Sequence, residues 1–138
     1  MVQRGRAPDA KTRTCEFWLE HGWLSARFLP GANVELADAR ENLETTSRLS
    51  TGSRLAVLVD LRQVRSQSSE ARGLLAGPEA ARVSRAVALV IGSPLSRVIG
   101  NFYLRFNRPE TPTRLFTSEE EAGAWLESLE PCRGQKLP

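Results

Sequence analysis

The chain has 138 residues, 41% hydrophobic and 25% charged, enough for one globular domain and too few for two ordinary ones. At this size about two-thirds of the unfolded surface can be buried, so neither a metal nor a disulfide framework is needed to hold a fold. The formal net charge of +3 sits in residues 1–13, where Arg4, Arg6, Lys11 and Arg13 outnumber Asp9; the balanced remainder has no electrostatic reason to seek nucleic acid.

Residues 1–13 are polar, contain Gly5 and Pro8, and read as a disordered basic tail before a domain over 14–130. They have no apolar core of the kind a secretory signal needs. Two aromatic-rich runs, Cys15 to Glu20 and Trp23 to Phe28, flank His21-Gly22 and predict a β-hairpin. Strand alternation is expected to turn one of its tryptophans, Trp18 or Trp23, outward, marking a partner or homodimer surface. From Val34 to Leu49 the spacing of Leu36, Ala39, Leu43 and Thr46 predicts a helix, closed by Thr51-Gly52.

Leu55 to Val59, ending in Asp60, and Ala86 to Ile91, ending at Gly92, are continuous apolar runs typical of strands covered on both faces. Between them lie a polar loop (Arg62 to Gln67), a short helix from Ser69 to Ala76, a Gly77-Pro78 break and a helical turn to Val83. Ser93 and Pro94 start the next helix as N-cap and first residue. Its apolar face, Leu95, Val98, Ile99, Phe102 and Phe106, is expected to pack inward, with Arg97, Asn101, Arg105 and Arg108 solvated and Tyr103 at the side with a wet hydroxyl. Asn107-Arg108-Pro109 ends it. Thr113 to Phe116 is the last strand. Glu119 to Leu129 forms a final helix, with its acids in the first turn and Ala122, Trp125, Leu126 and Leu129 inside. Residues 131–138 read as a tail. The order β-β-α-β-α-β-α-β-α predicts an α/β protein with a mixed sheet of about five strands and helices packed against it.

His21 is the only histidine, which argues against His-based triads and metal sites. Cys15 reads as a small buried hydrophobe and Cys132 as a tail residue, in keeping with a reducing cytoplasm. The sequence holds no Gly-x-Ser-x-Gly, Walker-type or Gly-x-Gly-x-x-Gly motif, and we expect no metal, no cofactor and no catalytic residue. The longest apolar run is far below the ~20 residues a membrane span requires.

The informative segment runs from Leu58 to Leu75, where a buried strand passes through a loop into a helix entered by Ser68 and Ser69. A serine there can cap free N–H groups, and the same groups can stabilise a phosphate. Ligands of open α/β sheets gather at the carboxyl ends of strands. Asp60, Ser68, Ser69, Ser93 and Ser96 should share that edge, where the helix entrances offer an anion site or are simply capped.

In this segment the chain resembles the STAS superfamily, the fold of SpoIIAA-like anti-sigma-factor antagonists. The resemblance rests on the order of elements over residues 15–130 and on the strand followed by Asp60-Leu61, Val64 and a serine-started helix. It places Ser69 on that family's phosphorylatable serine and Ser68 on the acid usually before it; Ala71 stands where the family has a small Gly. The wording at Ala37 to Leu43, Val59 to Arg62, Gly92-Ser93-Pro94 and Asn107 to Phe116 is similar to an uncharacterised bacterial STAS/SEC14-like branch. The resemblance implies a non-catalytic regulatory or scaffolding module. Its partner would be a protein such as a regulatory kinase or anti-sigma factor, with Ser69 or Ser68 as phosphoswitch. Arg62, Arg65, Arg72 and Arg97 are candidate partner or anion contacts. Two rival readings remain open: a small-molecule or lipid carrier of SEC14-like type, which needs an apolar cavity between sheet and helices, and a hydrolase using Asp60 with the edge serines.

Overall fold

The computed structural model describes residues 5–20 and 22–129. In chain order the elements are β1 (Ala10–Lys11), β2 (Cys15–Leu19), β3 (Trp23–Phe28), β4 (Ala32–Val34), α1 (Leu36–Ser50), β5 (Leu55–Asp60), β6 (Val64–Gln67), α2 (Ser69–Ala76), α3 (Pro78–Val83), β7 (Ser84–Val90), α4 (Pro94–Phe102) continuing into a π-helical turn (Tyr103–Asn107), β8 (Thr113–Phe116) and α5 (Glu119–Ser128). His21, Cys132 and the 131–138 tail lie outside the described residues. No helix among the described residues is long and apolar enough to cross a membrane.

The main sheet has the order β1-β2-β3-β5-β7-β8, antiparallel across β1, β2 and β3 and parallel from β3 onward. From β3 each crossover steps the same way across the sheet, and right-handed connections of that kind leave their helices on one face. The two apolar runs thus become β5 and β7, with neighbours on both sides. Ala39, Ala71 and Tyr103 from α1, α2 and the π turn share one core cluster with Phe17, Ala26, Val57 and Leu89. On the opposite face, Ala122 and Leu126 of α5 close over Trp23, Leu58, Ala88 and Val90.

Several sequence expectations need correction. Residues 5–13, expected in a tail, are tied to the sheet. Ala10 and Lys11 pair with Phe17 and Glu16, the Trp18 indole N–H donates to the Arg6 carbonyl at 2.9 Å, and the Leu19 N–H donates to Asp9 at 2.7 Å. Neither hairpin tryptophan faces outward. Trp18 lies opposite Ser25, two residues from Trp23, so both share one face, and both are buried there. Leu36 is exposed rather than inward. The buried side of α1 is largely polar, and Thr45, Thr46 and Ser50 satisfy their hydroxyls on carbonyls one turn back. Tyr103 is buried, and its hydroxyl donates to the Leu75 carbonyl at 2.9 Å instead of to water. The expected loop from Arg62 to Gln67 contains β6, which pairs in parallel with β4 as a separate two-stranded sheet.

The Arg13 guanidinium grips the buried Asp38 carboxylate, with Nε at 2.7 Å from Oδ1. Its hydrogen bonds, helped by the Glu35 N–H and opposed by burial, hold the Asp38 carboxyl below its ordinary range. A depressed carboxyl adds stability above the unfolded pKa, about 3.9, and loses it as pH falls through the folded value. Arg13→Ala should therefore lower the urea midpoint at pH 7. The gap from wild type should close below about pH 4, as followed by tryptophan fluorescence.

Candidate functional site

The sheet edge where Asp60 ends β5 is filled by the protein's own groups. Asp60 is buried and accepts from Arg62 Nε at 2.9 Å, from Arg62 Nη2 at 2.7 Å and from the Arg62 N–H at 3.0 Å. Arg62 Nη2 also donates to Glu119 at the start of α5, at 2.8 Å. Asp60 holds the Arg62 guanidinium firmly charged, against the opposing effect of burial. Gly92 makes this packing feasible, since a Cβ there would stand only 3.0 Å from the Arg62 side chain. Beside it Ser93 and Ser96 close on each other. Ser93 Oγ accepts from the Ser96 N–H, and Ser96 Oγ accepts from the N–H groups of Gly92 and Ser93, all at 3.0 Å. Ser96 has no exposed surface. The structure thus joins Asp60 with Arg62, and Ser93 with Ser96, in mutually satisfied sets. Glu119 completes the set, from an acidic run that the sequence marks only as a dipole preference at the start of a helix.

The second expected group lies at the entrance of α2. Ser68 is the N-cap, accepting from the Ala71 N–H at 3.1 Å, and its own N–H donates to Val34 in β4. Ser69 is the first helical residue and is exposed, its hydroxyl 3.4 Å from Glu70. Arg65 is exposed on β6. Arg72, one turn after Ser69, does not reach the serine. It donates to the Gln67 carbonyl at 2.7 Å and to Asn107 at 3.2 Å, and its guanidinium lies 4.6 Å above the Phe102 ring.

Beside that contact lies a surface that helical periodicity alone assigns to the core. Leu95, Val98, Phe102 and Phe106, expected to pack inward, are 45%, 63%, 41% and 65% exposed. The side of α4 that meets the sheet is instead Ser96, Ile99, Gly100 and Tyr103. A Cβ on Gly100 would stand 3.1 Å from both Ile91 and Leu115, so only a small residue permits this close approach. With the small side turned in, the large side chains form an apolar ridge, and the Phe102 and Phe106 rings touch with centroids 4.5 Å apart. Residues 94–109 contain no acid, and Arg97, Arg105 and Arg108 flank the ridge, all exposed and none paired with a carboxylate among the described residues. Sequence periodicity found this stripe, but nothing in it told which side faces the sheet.

No curated protein matches the chain. The fold is similar to the crystal structure of an uncharacterised protein of the DUF3478 family from Shewanella loihica PV-4, which has a SpoIIAA-like fold. The TM-score is 0.58 at 14% identity, covering 81% of this chain and 91% of that one. A protein of unknown function from Arthrobacter sp. FB24 is 30% identical over 80% of this chain and 97% of its own, with a TM-score of 0.31. The SpoIIAA-like architecture is the one the STAS resemblance implied. Residues 17–130 match the model of a domain of unknown function, DUF7793, and the chain belongs to that family.

Proposed function

We propose that the protein is a regulatory or scaffolding module that works by binding another protein, and that it docks an acidic amphipathic helix along the ridge of α4 and the π turn. The observation that carries this reading is the ridge itself. Four of the six large apolar side chains that stand exposed among the described residues lie on this one element. Contiguous apolar surface rimmed by charge is typical of interaction sites, and helix-in-groove recognition uses anchors at this spacing. The all-cationic rim favours an acidic partner, through attraction and through rejection of basic ones.

Ser69 suits a switch on the same surface. It is exposed, and one turn later Arg72 lies over Phe102. A phosphate on Ser69 would add about −1.5 to −2 charges one turn before Arg72 and would repel an acidic helix lying over Phe102.

The test uses two designed fluorescent helical peptides with identical apolar faces, one flanked by Glu and one by Lys, read by anisotropy. The acidic peptide should bind the wild type. Its affinity should fall at least about tenfold in Val98→Asp/Phe106→Asp, in line with loss of anchor side chains, and measurably in Ser69→Asp. Equal binding of both peptides, or of neither, would overturn the reading. So would sedimentation as a dimer that Val98→Asp/Phe106→Asp dissociates, because the ridge would then be covered by a second copy.

A further inference from the structure

Between the sheet and the layer formed by α1, α2, α3 and the π turn lies a cavity of about 110 Å³. Phe17, Phe28, Val59, Val87, Ile99 and Tyr103 are among its walls. It is separate from the ridge. α4 and the π turn give Ile99 and Tyr103 to the cavity, and Leu95, Val98, Phe102 and Phe106 to the surface. Val59 of β5 and Val87 of β7 stand in the middle of the sheet, where both faces are normally sealed, yet each is only half-buried. The cavity therefore communicates with solvent along this face.

We infer that this cavity binds a small, uncharged apolar molecule about the size of a single aromatic ring. The size argument is direct. An apolar cavity of about 150 Å³ takes benzene or xenon, whereas sites for larger ligands run to roughly 300–1,000 Å³. A lipid is too large. The chemistry agrees, because no charged side chain lines the cavity. Burial pushes the Cys15 thiol well above its ordinary value, so it stays neutral there. Most of the hydroxyls and amides on the wall already bond within the protein. Tyr103 donates to the Leu75 carbonyl, Thr46 to the Asn42 carbonyl, Thr113 to the Thr111 carbonyl, and Asn42 to Thr14. A carboxylate, phosphate or ammonium group would enter without an opposite charge to meet it and would lose its hydration, while an apolar ring gives up nothing.

The walls also suggest how the ligand enters. The Tyr103–Leu75 hydrogen bond and the Arg72–Phe102 stack are two clasps holding α2 against the π turn and the end of α4. π-helical turns interrupt the regular helix ladder and recur at functional positions.

The test is titration of the full chain with benzene, and separately with indole and with xenon, followed by thermal unfolding and by methyl NMR shifts. Benzene at ten times its Kd should raise Tm by about 5 °C. The shift changes should fall on Val57, Val59, Val87, Leu89 and Ile99. Val59→Phe, which fills the space, should abolish both effects. Val59→Ile, a milder filling that keeps the fold, should weaken binding at least fivefold. Absence of any response from all three probes would overturn the inference. So would undiminished binding in both filled variants, or shift changes on Leu95 and Val98 instead, the latter meaning that the probe sits on the outer ridge.

Discussion

Arg62→Ala is expected to lose about 3 kcal/mol of stability at pH 7, the scale for removing one partner from a buried ion pair. The reason lies in which partner stays behind. Asp60 is 3% exposed, whereas the Arg62 side chain reaches water. Deleting the guanidinium leaves a carboxylate in a dry place at the end of the central strand. It also removes the cation shared with Glu119, so two carboxylates that met the same nitrogen now face each other. Asp60→Ala should be milder, since a partly exposed Arg62 can hydrate and keep Glu119. The pH dependence of the variant follows from the same logic. A carboxyl buried without its cation has a raised folded pKa, so the penalty is full at neutral pH and shrinks as pH falls toward the ordinary carboxylate range. Arg62→Ala/Asp60→Asn, which has no stranded charge, should recover much of the loss at pH 7. Urea unfolding of the three variants at pH 7 and pH 4.5 checks the order. A single variant as stable as wild type at pH 7 would show that Asp60 does not depend on Arg62.

The sequence was most legible where a local rule decides the structure. The serine-started helix over Ser69–Ala76 appears at its expected residues, because Ser68 caps it and Gly77-Pro78 ends it. Ser93 and Pro94 open α4 for the same reason. The two apolar runs lie at the sheet centre as their double-faced hydrophobicity requires. Legibility failed where a distant part of the chain supplies the partner. β4 and β6 are three and four residues long, with Asn33, Arg65 and Ser66 exposed, and no local pattern marks them. The first strand is held through Trp18 and Asp9, whose hydrogen bonds join Arg6 and Asp9 to β2, 12 and 10 residues along the chain. The closed pairing of Asp60 with Arg62 needs only a separation of two and was within reach of the sequence, but the arrival of Glu119 from 57 residues away was not.

Leu126 and Phe106 both fall on apolar helical stripes, and the structure predicts opposite outcomes for the same change. Leu126→Ala should cost about 3 kcal/mol, within the range for a large-to-small change in a core. Leu126 has no exposed surface, and together with Ala122 it is the side of α5 that closes over Leu58, Ala88 and Val90. Those alanines leave little side chain to move into the vacated space, so the cavity should persist. α5 is also the only helix among the described residues packed on that face, and its loosening would expose Trp23, which a shifted fluorescence maximum would report. Phe106→Ala should stay within about 0.5 kcal/mol of wild type, as for exposed positions outside special contacts. Phe106 is 65% exposed, and its ring meets that of Phe102. A helix keeps large apolar side chains in water for some reason other than stability, and under the function proposed above that reason is binding. Comparable destabilisation by Phe106→Ala would mean that α4 hides its large side chains in solution. A nearly neutral Leu126→Ala would mean that α5 is a loosely held cover on the sheet.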